Sequence, residues 1–325
     1  MIALLPWLTP ARAESPTAPT ANTALPHRDF AAEEAAASQR PASETPAIEP
    51  TTAGAQPARS KKLLAAGAVG LTYAAATTWA YFAWFRGAPS QDFYLDGWHW
   101  FGVHRYSGGA DKLGHLWANH ALARTTTEIL MGGGWRRWPS SLAGSGLSLF
   151  FLGLSELEDG FRVGFETGDL VANAMGAGLS LLLVNVPALD DAMDFRLCYW
   201  PSAEYRESLV EEGNLDFAQD YSGQSYLLAF HLGAIPGLKA RRWLRWAQYV
   251  DLVGGFETRN YTPPPPDPNA VPRQTLFLGL ALNMQGVLRT LFAPSMGRNV
   301  GHVALELIAL PYTTVRVGEA SRSPN

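Results

Sequence analysis

The chain has 325 residues, of which 47% are hydrophobic and 17% charged, and it contains 11 tryptophans. Its net charge of -4 gives no sign of nucleic-acid binding, and its single cysteine, Cys198, excludes an intrachain disulfide and a zinc site built from several cysteines. Few charges combined with many aromatic residues are more typical of a membrane-associated protein than of a cytosolic enzyme.

The N-terminal residues resemble the end of a secretion signal. An apolar run precedes Ala11-Arg12-Ala13, a small-x-small cleavage pattern, so residues 1–13 are predicted to be a truncated signal peptide. The alternative is an N-terminal segment without a role in export. Residues 14–60 are rich in alanine, proline and threonine and lack apolar periodicity, which predicts a disordered linker.

The next segment, residues 63–85, has no charged residue and is long enough to cross a bilayer. We predict a membrane helix; a buried core helix is the alternative, because alanine, glycine and threonine dilute the hydrophobicity. The orientation is ambiguous. Arg59, Lys61 and Lys62 favour a cytoplasmic N-terminal end, whereas a cleaved signal would place the same end outside.

Three further helices are predicted from apolar periodicity and from helix-ending glycine and proline residues, over residues 110–130, 140–158 and 167–184. Together with the membrane helix they make a predicted helical bundle over residues 61–190. Thr167 is the predicted N-cap of the last helix.

After residue 187 the pattern changes. Residues 225–232, 249–259 and 274–284 are short runs, apolar or alternating, that turn signals separate, and they predict antiparallel strands. Residues 191–325 are therefore predicted to be a β-rich region. The predicted fold class is α+β, with a membrane-associated helical bundle followed by a smaller antiparallel β-rich region.

Polar side chains recur at helical spacing on each of the last three helices. Because residues three or four apart share a helix face, each helix has one polar face, and the three faces would meet inside the bundle. Burying such groups is costly unless they pair or bind something. The groups are Asp111, Lys112, His115, Asn119, Glu156, Asp159, Asp169 and Asn173.

Three interpretations of this polar cluster stay open. In the first, His115, Asp169 and Glu156 are catalytic groups that act as general acid or base, since burial raises a carboxyl pKa towards the working range. In the second, the interior binds a lipid or polar ligand. The candidate binding residues are Asp111, Lys112, Asn119, Asp159 and Asn173.

No cofactor is predicted from a motif, and a divalent metal is the one open alternative. Its candidate ligands are Asp111, His115, Glu156, Asp159 and Asp169, although the Glu-x-x-His spacing of di-iron bundles is absent. In the third interpretation the cluster is an internal network that fixes the helices, with Asp111 bound to Lys112 or His115, and Asp159 bound to Arg162.

Several spaced motifs resemble a known family. They are Asp111-Lys112-Leu113-Gly114-His115, then Glu156-Leu157-Glu158-Asp159-Gly160-Phe161, then the run from Gly164 to Asn173, and finally Asp220-Tyr221-Ser222-Gly223-Gln224-Ser225-Tyr226. In this order they resemble a bacterial domain-of-unknown-function family of predicted periplasmic lipoproteins (YfiM-like). The resemblance extends over about residues 79–226 and implies an envelope protein whose activity is unassigned.

The order of the motifs on the three helices is also similar, more loosely, to that of the VanZ-like membrane proteins, which are linked to glycopeptide-antibiotic resistance. One departure from the lipoprotein family concerns its anchor. The lipoprotein label expects a lipid-bearing cysteine near the N-terminus, and residues 1–60 contain no cysteine. Attachment would then come from the 63–85 helix, the bundle or the strands.

These observations predict a protein of the bacterial cell envelope, membrane-associated and on the periplasmic side. Its expected partners are membrane lipid and other envelope proteins, with no nucleic acid. The predicted function is structural, or lipid or ligand binding through the polar bundle interior. The alternative is a membrane-bound hydrolase or transferase that acts on a lipid or cell-wall precursor, so whether the protein is an enzyme stays open.

Overall fold

The computed structural model describes residues 55–239, 241–263 and 269–324. The predicted signal peptide (1–13) lies outside the described residues, and so does most of the predicted linker (14–60).

Four long helices make up the helical region. They are α1 (Ala55–Ala80), which continues through a π-helical turn at Tyr81–Phe85, α2 (Ala110–Gly132), α3 (Arg137–Asp159) and α4 (Thr167–Asn185). The predicted bounds of α2, α3 and α4 lie close to these. Helix α2 is central, because it packs against α1, α3 and α4 and has no exposed residue before Gly132.

Two glycines allow the helices to approach α2 closely. A Cβ atom at Gly176 of α4 would lie 2.1 Å from the carbonyl oxygen of Leu116, and one at Gly144 of α3 would lie 2.5 Å from that of Ala123. Any side chain would therefore push these helices apart. These two glycines therefore have a packing function.

The β-rich region is an open sheet. Its strands are β3 (Met193–Tyr199), β4 (Gln224–His231), β5 (Val250–Arg259), β6 (Arg273–Leu282), β7 (Ile308–Ala309) and β8 (Thr314–Arg322), while β1 (Leu95–Gly97) and β2 (Phe165–Glu166) form a separate parallel pair beside the helices. The order in the sheet is β7-β3-β4-β5-β6-β8, and every neighbouring pair is antiparallel except β3–β7. The α+β prediction is confirmed.

Short helices connect the strands. Among the described residues they are α5 (Ala203–Glu211), α6 (Met284–Leu291) and α7 (Met296–Leu307), together with a longer 3-10 helix at Arg242–Tyr249 and shorter helical turns at Pro187–Asp190, Phe217–Gln219, Tyr221–Gly223, Leu232–Ala234 and Pro236–Lys239.

One face of the sheet packs on α2 only over part of its width. Phe195, Tyr226 and Phe256 form a buried core with Leu113 and Trp117 of α2. Farther along the same face, four neighbouring apolar residues stay exposed. The strand register aligns them across β4, β5, β6 and β8, and they are Phe230, Leu252, Leu280 and Val315. The sheet therefore has an uncovered apolar surface beside the helical region.

Two helical stretches, Arg59–Phe85 and Thr167–Asn185, are long and apolar enough to cross a membrane. In the most apolar 18 residues of each stretch, 17% of the first stretch and 50% of the second are buried. Residues 63–85 are therefore mostly exposed in the described structure, and the membrane helix there stays a prediction. The N-cap prediction for Thr167 is wrong, because Glu166 occupies the N-cap position and Thr167 is the first helical residue, with its hydroxyl donating to the carbonyl oxygen of Gly97.

Candidate functional site

The polar faces of α2, α3 and α4 meet near the start of α2, the end of α3 and the start of α4. The turn between α3 and α4 follows from local sequence, since the main-chain carbonyl of Asp159 accepts from the amides of Arg162, Val163 and Gly164 and ends α3. The parallel pair β1–β2 then ties this turn to the loop before α2.

Lys112 is the central cation of the cluster. Its Nζ atom lies 3.0 Å from Oδ2 of Asp111 and 2.5 Å from Oδ1 of Asp169, and it also pairs with Oε2 of Glu166. The lysine side chain is only 3% exposed. Three carboxylates from three segments thus share one buried ammonium group, and their charges raise the pKa of Lys112 although burial opposes protonation.

His115 is the second cation and the most accessible of the ion-paired groups, with 24% of its side chain exposed. Its Nδ1 atom lies 3.0 Å from Oε1 of Glu156. Its Nε2 atom lies 3.5 Å from Oδ1 of Asp111 and 3.8 Å from Oδ1 of Asp169. Both distances are longer than a good hydrogen bond, so Nδ1 is held more closely than Nε2.

Two asparagine side chains form a chain of hydrogen bonds that ends at Glu156. Nδ2 of Asn173 donates to Oε1 of Glu156 at 3.1 Å, and Nδ2 of Asn119 donates to Oδ1 of Asn173 at 2.7 Å. Both asparagines are fully buried. These hydrogen bonds connect all three helices and fix the carboxylate that faces His115.

Asp159 lies at the margin of the cluster and is half-buried. The predicted ion pair with Arg162 is wrong, because the Arg162 guanidinium instead lies 2.7 Å from Oε1 of Glu158. Burial, reinforced by the charge of Glu156, raises the pKa of Asp159 to about 7.

The remaining ionisable groups divide according to their neighbours. Burial disfavours the anion of Asp111, but His115 and Lys112 outweigh it and hold its pKa well below the usual range. Burial, together with the charges of Asp111 and Glu156, raises the pKa of Asp169 to about 8. Burial also disfavours a charged His115, but the surrounding carboxylates raise its pKa well above 6.5.

Sequence reasoning missed two members of the cluster. Glu166 was absent from the candidates because it precedes the predicted helix and has no helical spacing to the others. Tyr221 lies far away in the chain, and its hydroxyl donates to Oδ1 of Asp111 at 2.9 Å. The motif around Tyr221 was part of the family resemblance, which is the signal that could have identified it.

The arrangement offers one candidate set of metal ligands among the described residues. Single ligand atoms of Asp111, His115 and Asp169 lie within 4.8 Å of one another. However, the ammonium of Lys112 already pairs with two of these three side chains. A divalent ion would have to displace or repel it, so the donor set fits a lysine counterion better than a metal.

A second buried charge network, which the sequence did not reveal, lies within the sheet. Nη1 of Arg196 is 2.8 Å from Oδ2 of Asp251, and its Nη2 is 2.5 Å from Oδ2 of Asp194. His231 bridges the same two aspartates, at 3.1 Å and 2.7 Å. Adjacent strands supply all four groups, so this network is a structural feature of β3, β4 and β5.

Comparison with known families identifies a match over part of the chain. Residues 97–185 match the family described as "Predicted periplasmic lipoprotein (DUF2279)". The matched segment includes every residue that was predicted for the cluster, and it confirms the resemblance over residues 97–185; the motif from Asp220 to Tyr226 lies outside it. The family description also confirms the predicted location in the cell envelope on the periplasmic side. The looser likeness to the VanZ-like proteins stays a prediction.

Comparison with curated proteins gives no match, and comparison with solved structures gives none either.

Proposed function

We propose that this envelope protein binds the apolar part of a lipid in a groove between α2 and the sheet, and that its polar interior holds one wall of that groove in place. The proposal makes the leading role structural and lipid-binding rather than catalytic. Membrane lipid is its expected partner.

The observation that carries the proposal is the lining of the groove. It has a volume of about 620 Å³, within the roughly 300–1,000 Å³ typical of small-molecule sites. Glu319 is the one charged residue among those that line it. The lining residues are Leu113, Phe195, Tyr226, Leu228, Gly254, Gly255, Phe256, Leu276, Phe277, Leu278, Gly318, Glu319 and Ala320. A surface of this composition favours alkyl chains, because burying it removes apolar area from water.

The polar cluster lies next to this groove along α2. Leu113, which lines the groove, directly follows Lys112, and Lys112 is fixed by its three carboxylates. Tyr226, also in the lining, is so near α2 that a Cβ atom at Gly114 would lie 3.0 Å from its hydroxyl oxygen. In this proposal the charged interior sets the distance between the helix and the sheet.

Filling the groove tests the proposal. A Cβ atom at Gly254 would meet only Leu278, at 3.9 Å, and one at Gly318 would meet nothing within 4 Å. Gly254→Leu and Gly318→Leu should therefore fold and occupy the groove. Gly146→Leu is the matched control, because a Cβ atom there also meets nothing within 4 Å but lies on α3, outside the lining.

The measurement is the binding of dansyl-labelled undecanoic acid to the full chain in a mild detergent. We expect the two groove variants to weaken binding by about tenfold or more, equivalent to about 1.4 kcal/mol, and the control to bind as the wild type does. Unsaturable binding by the wild type, or equal binding by all three variants, would overturn the proposal.

A second candidate is a hydrolase or transferase that acts on a lipid or cell-wall precursor. It is supported by the pairing of His115 Nδ1 with Glu156 while Nε2 lies 3.8 Å from Oδ1 of Asp169 on a partly exposed imidazole. A histidine oriented by a buried carboxylate can exchange a proton with a bound group. Because its pKa is raised well above 6.5, His115 would act as a general acid.

Turnover of lipid-linked substrates by the purified protein, together with its metal content, distinguishes the two candidates. The enzyme candidate requires turnover that His115→Ala and Asp169→Asn abolish while both variants keep the wild-type circular dichroism. Folded variants that retain full activity in cells would exclude it. Conversely, stoichiometric metal that is lost in Asp169→Ala would contradict the non-catalytic proposal.

A further inference from the structure

Five basic residues converge where the start of α1 meets the turn between α2 and α3. We call them the basic edge: Arg59, Lys61, Lys62, Arg136 and Arg137, all of which are exposed. The three basic residues of α1 are far in the sequence from the two arginines at the start of α3, so the fold brings them together.

Close packing fixes this proximity. A Cβ atom at Gly133 would lie 2.3 Å from the Cβ atom of Ala65 and 3.1 Å from the carbonyl oxygen of Lys61. The Nζ atom of Lys62 lies 5.7 Å from the centroid of the Trp135 ring, within the range of a cation–π contact. The start of α1 is therefore held against the turn that carries the two arginines.

Local acids do not neutralise the basic edge. Residues 55–91 and 129–155 contain no aspartate or glutamate. Glu128, the acid just before the turn, interacts with Arg137 and shares Arg124 with Asp190 and Glu306. The edge itself contributes five cations and no acid, so it carries a net positive charge.

Aromatic and apolar side chains follow the charges along both helices. Trp135 and Trp138 are 41% and 59% exposed beside the arginines. Beyond the charges, Leu63 and Leu64 of α1 and Leu142 of α3 are more than half exposed. This order matches the layers of a bilayer surface. Basic residues would face the phosphates, the tryptophans the interfacial region, and the apolar residues the acyl chains.

We infer that the basic edge docks against the anionic headgroups of a phospholipid bilayer, with the adjacent exposed leucines in contact with its acyl chains. The inference rests on the membrane association in the proposed function, but it uses a surface that is separate from the groove. Charge complementarity selects the occupant, because anionic lipids attract clustered lysine and arginine residues.

Lipid retention tests the inference. Full-length protein in micelles of a neutral detergent is supplied with equimolar phosphatidylglycerol and phosphatidylcholine, and native mass spectrometry counts the lipids that remain bound. The edge variant combines Lys61→Gln, Lys62→Gln, Arg136→Gln and Arg137→Gln. A control variant with the same change of charge combines Arg86→Gln, Arg206→Gln, Arg241→Gln and Arg273→Gln at exposed positions elsewhere.

We expect the wild type and the control to retain phosphatidylglycerol at least about fivefold over phosphatidylcholine, and the edge variant to lose this preference. On the wild type alone, raising NaCl from about 0.05 to about 0.5 M should reduce the preference, because salt screens exposed charges. Equal retention of both lipids by the wild type, or a preference that survives in the edge variant, would overturn the inference.

The groove probe separates this outcome from failure of the proposed function. Dansyl-undecanoic acid should bind the edge variant as tightly as the wild type, which also shows that the variant is folded. If the wild type does not bind the probe but prefers phosphatidylglycerol, the groove proposal fails and the headgroup inference stands.

Discussion

The side-chain amide of Asn119 donates to Oδ1 of Asn173 across 2.7 Å, and neither residue has any exposed surface. Removing either amide leaves the other buried without its partner, which costs about 1 to 3 kcal/mol. We expect Asn119→Ala and Asn173→Ala each to lower the free energy of unfolding by about that amount.

The double variant provides the control for this prediction. With both amides absent, no partner is left unsatisfied at this bond, so the cost should be less than the sum of the two single costs. Chemical unfolding followed by tryptophan fluorescence measures all three. Simple additivity would show that the two asparagines do not act as a pair.

Lys112→Met should be among the most destabilising single changes. It removes the ammonium shared by Asp111, Glu166 and Asp169, so the buried Asp111 carboxylate loses a counterion and the other two carboxyl groups lose their common partner. Breaking a buried ion pair in this way costs about 3 to 5 kcal/mol. Lys61→Met, at an exposed lysine, should change the free energy of unfolding by less than about 0.5 kcal/mol. Similar losses in both variants would contradict the central position of Lys112.

The protein should become less stable as the pH rises from about 5 to about 8. The pKa of Asp169 is raised to about 8 and that of Asp159 to about 7, so the folded protein keeps protons that the unfolded chain releases near pH 3.9. The raised pKa of His115 acts with the same sign, since its stabilisation is present below about pH 6.5 and is lost above. His231, whose pKa its two aspartates raise to about 9, acts with the same sign, whereas burial lowers the pKa of His120 to about 4 and gives the opposite sign below about pH 6.5. The lowered pKa of Asp111 matters only below this window.

Asp169→Asn tests the largest part of this dependence. In this variant the free energy of unfolding should fall less steeply with pH. The slope should change by up to about 1.4 kcal/mol per pH unit, which is the limit for one titrating group. Asp92→Asn, at an exposed aspartate, should leave the slope unchanged. The readout is the free energy of unfolding at several pH values, and an unchanged slope in Asp169→Asn would refute the assignment.

Two glycines of α4 should respond oppositely to the same substitution. Gly176→Ala would place a methyl group 2.1 Å from the carbonyl oxygen of Leu116, so α2 and α4 must separate, and we expect a loss of about 1 to 3 kcal/mol. Gly178→Ala meets nothing within 4 Å and should raise the free energy of unfolding by about 0.5 to 1 kcal/mol, through the higher helix propensity of alanine. Thermal melting of the two variants compares them directly, and a shift of equal sign would disprove the packing argument.

The helices were largely predictable from the sequence, because α2, α3 and α4 combine apolar periodicity with clear ends. The strands β4, β5 and β6 were predictable because they are short apolar or alternating runs that turn signals separate. In contrast, β3 was not predicted. Its alternation places Asp194 and Arg196 at buried positions, and buried charges look like surface residues until their partners, such as Asp251, are known.

The candidate site was predictable only as far as helical spacing extends. That rule places His115, Glu156 and Asp169 on facing surfaces, and the structure brings them together. It could not identify Glu166, which lies on a strand, or Tyr221, whose contact with α2 depends on the tertiary fold. Whether the cluster binds, catalyses or only stabilises is likewise beyond a spacing rule, since all three need the same residues.

The hydrogen bond from Tyr221 to Asp111 has a consequence for how the molecule opens. Asp111 belongs to the first turn of α2, and Tyr221 belongs to the turn that leads into β4. A fluctuation that released either element would break the contact and expose the carboxylate partners of Lys112. The amide protons of α2 and β4 should therefore exchange with solvent at matched rates, as one cooperative unit.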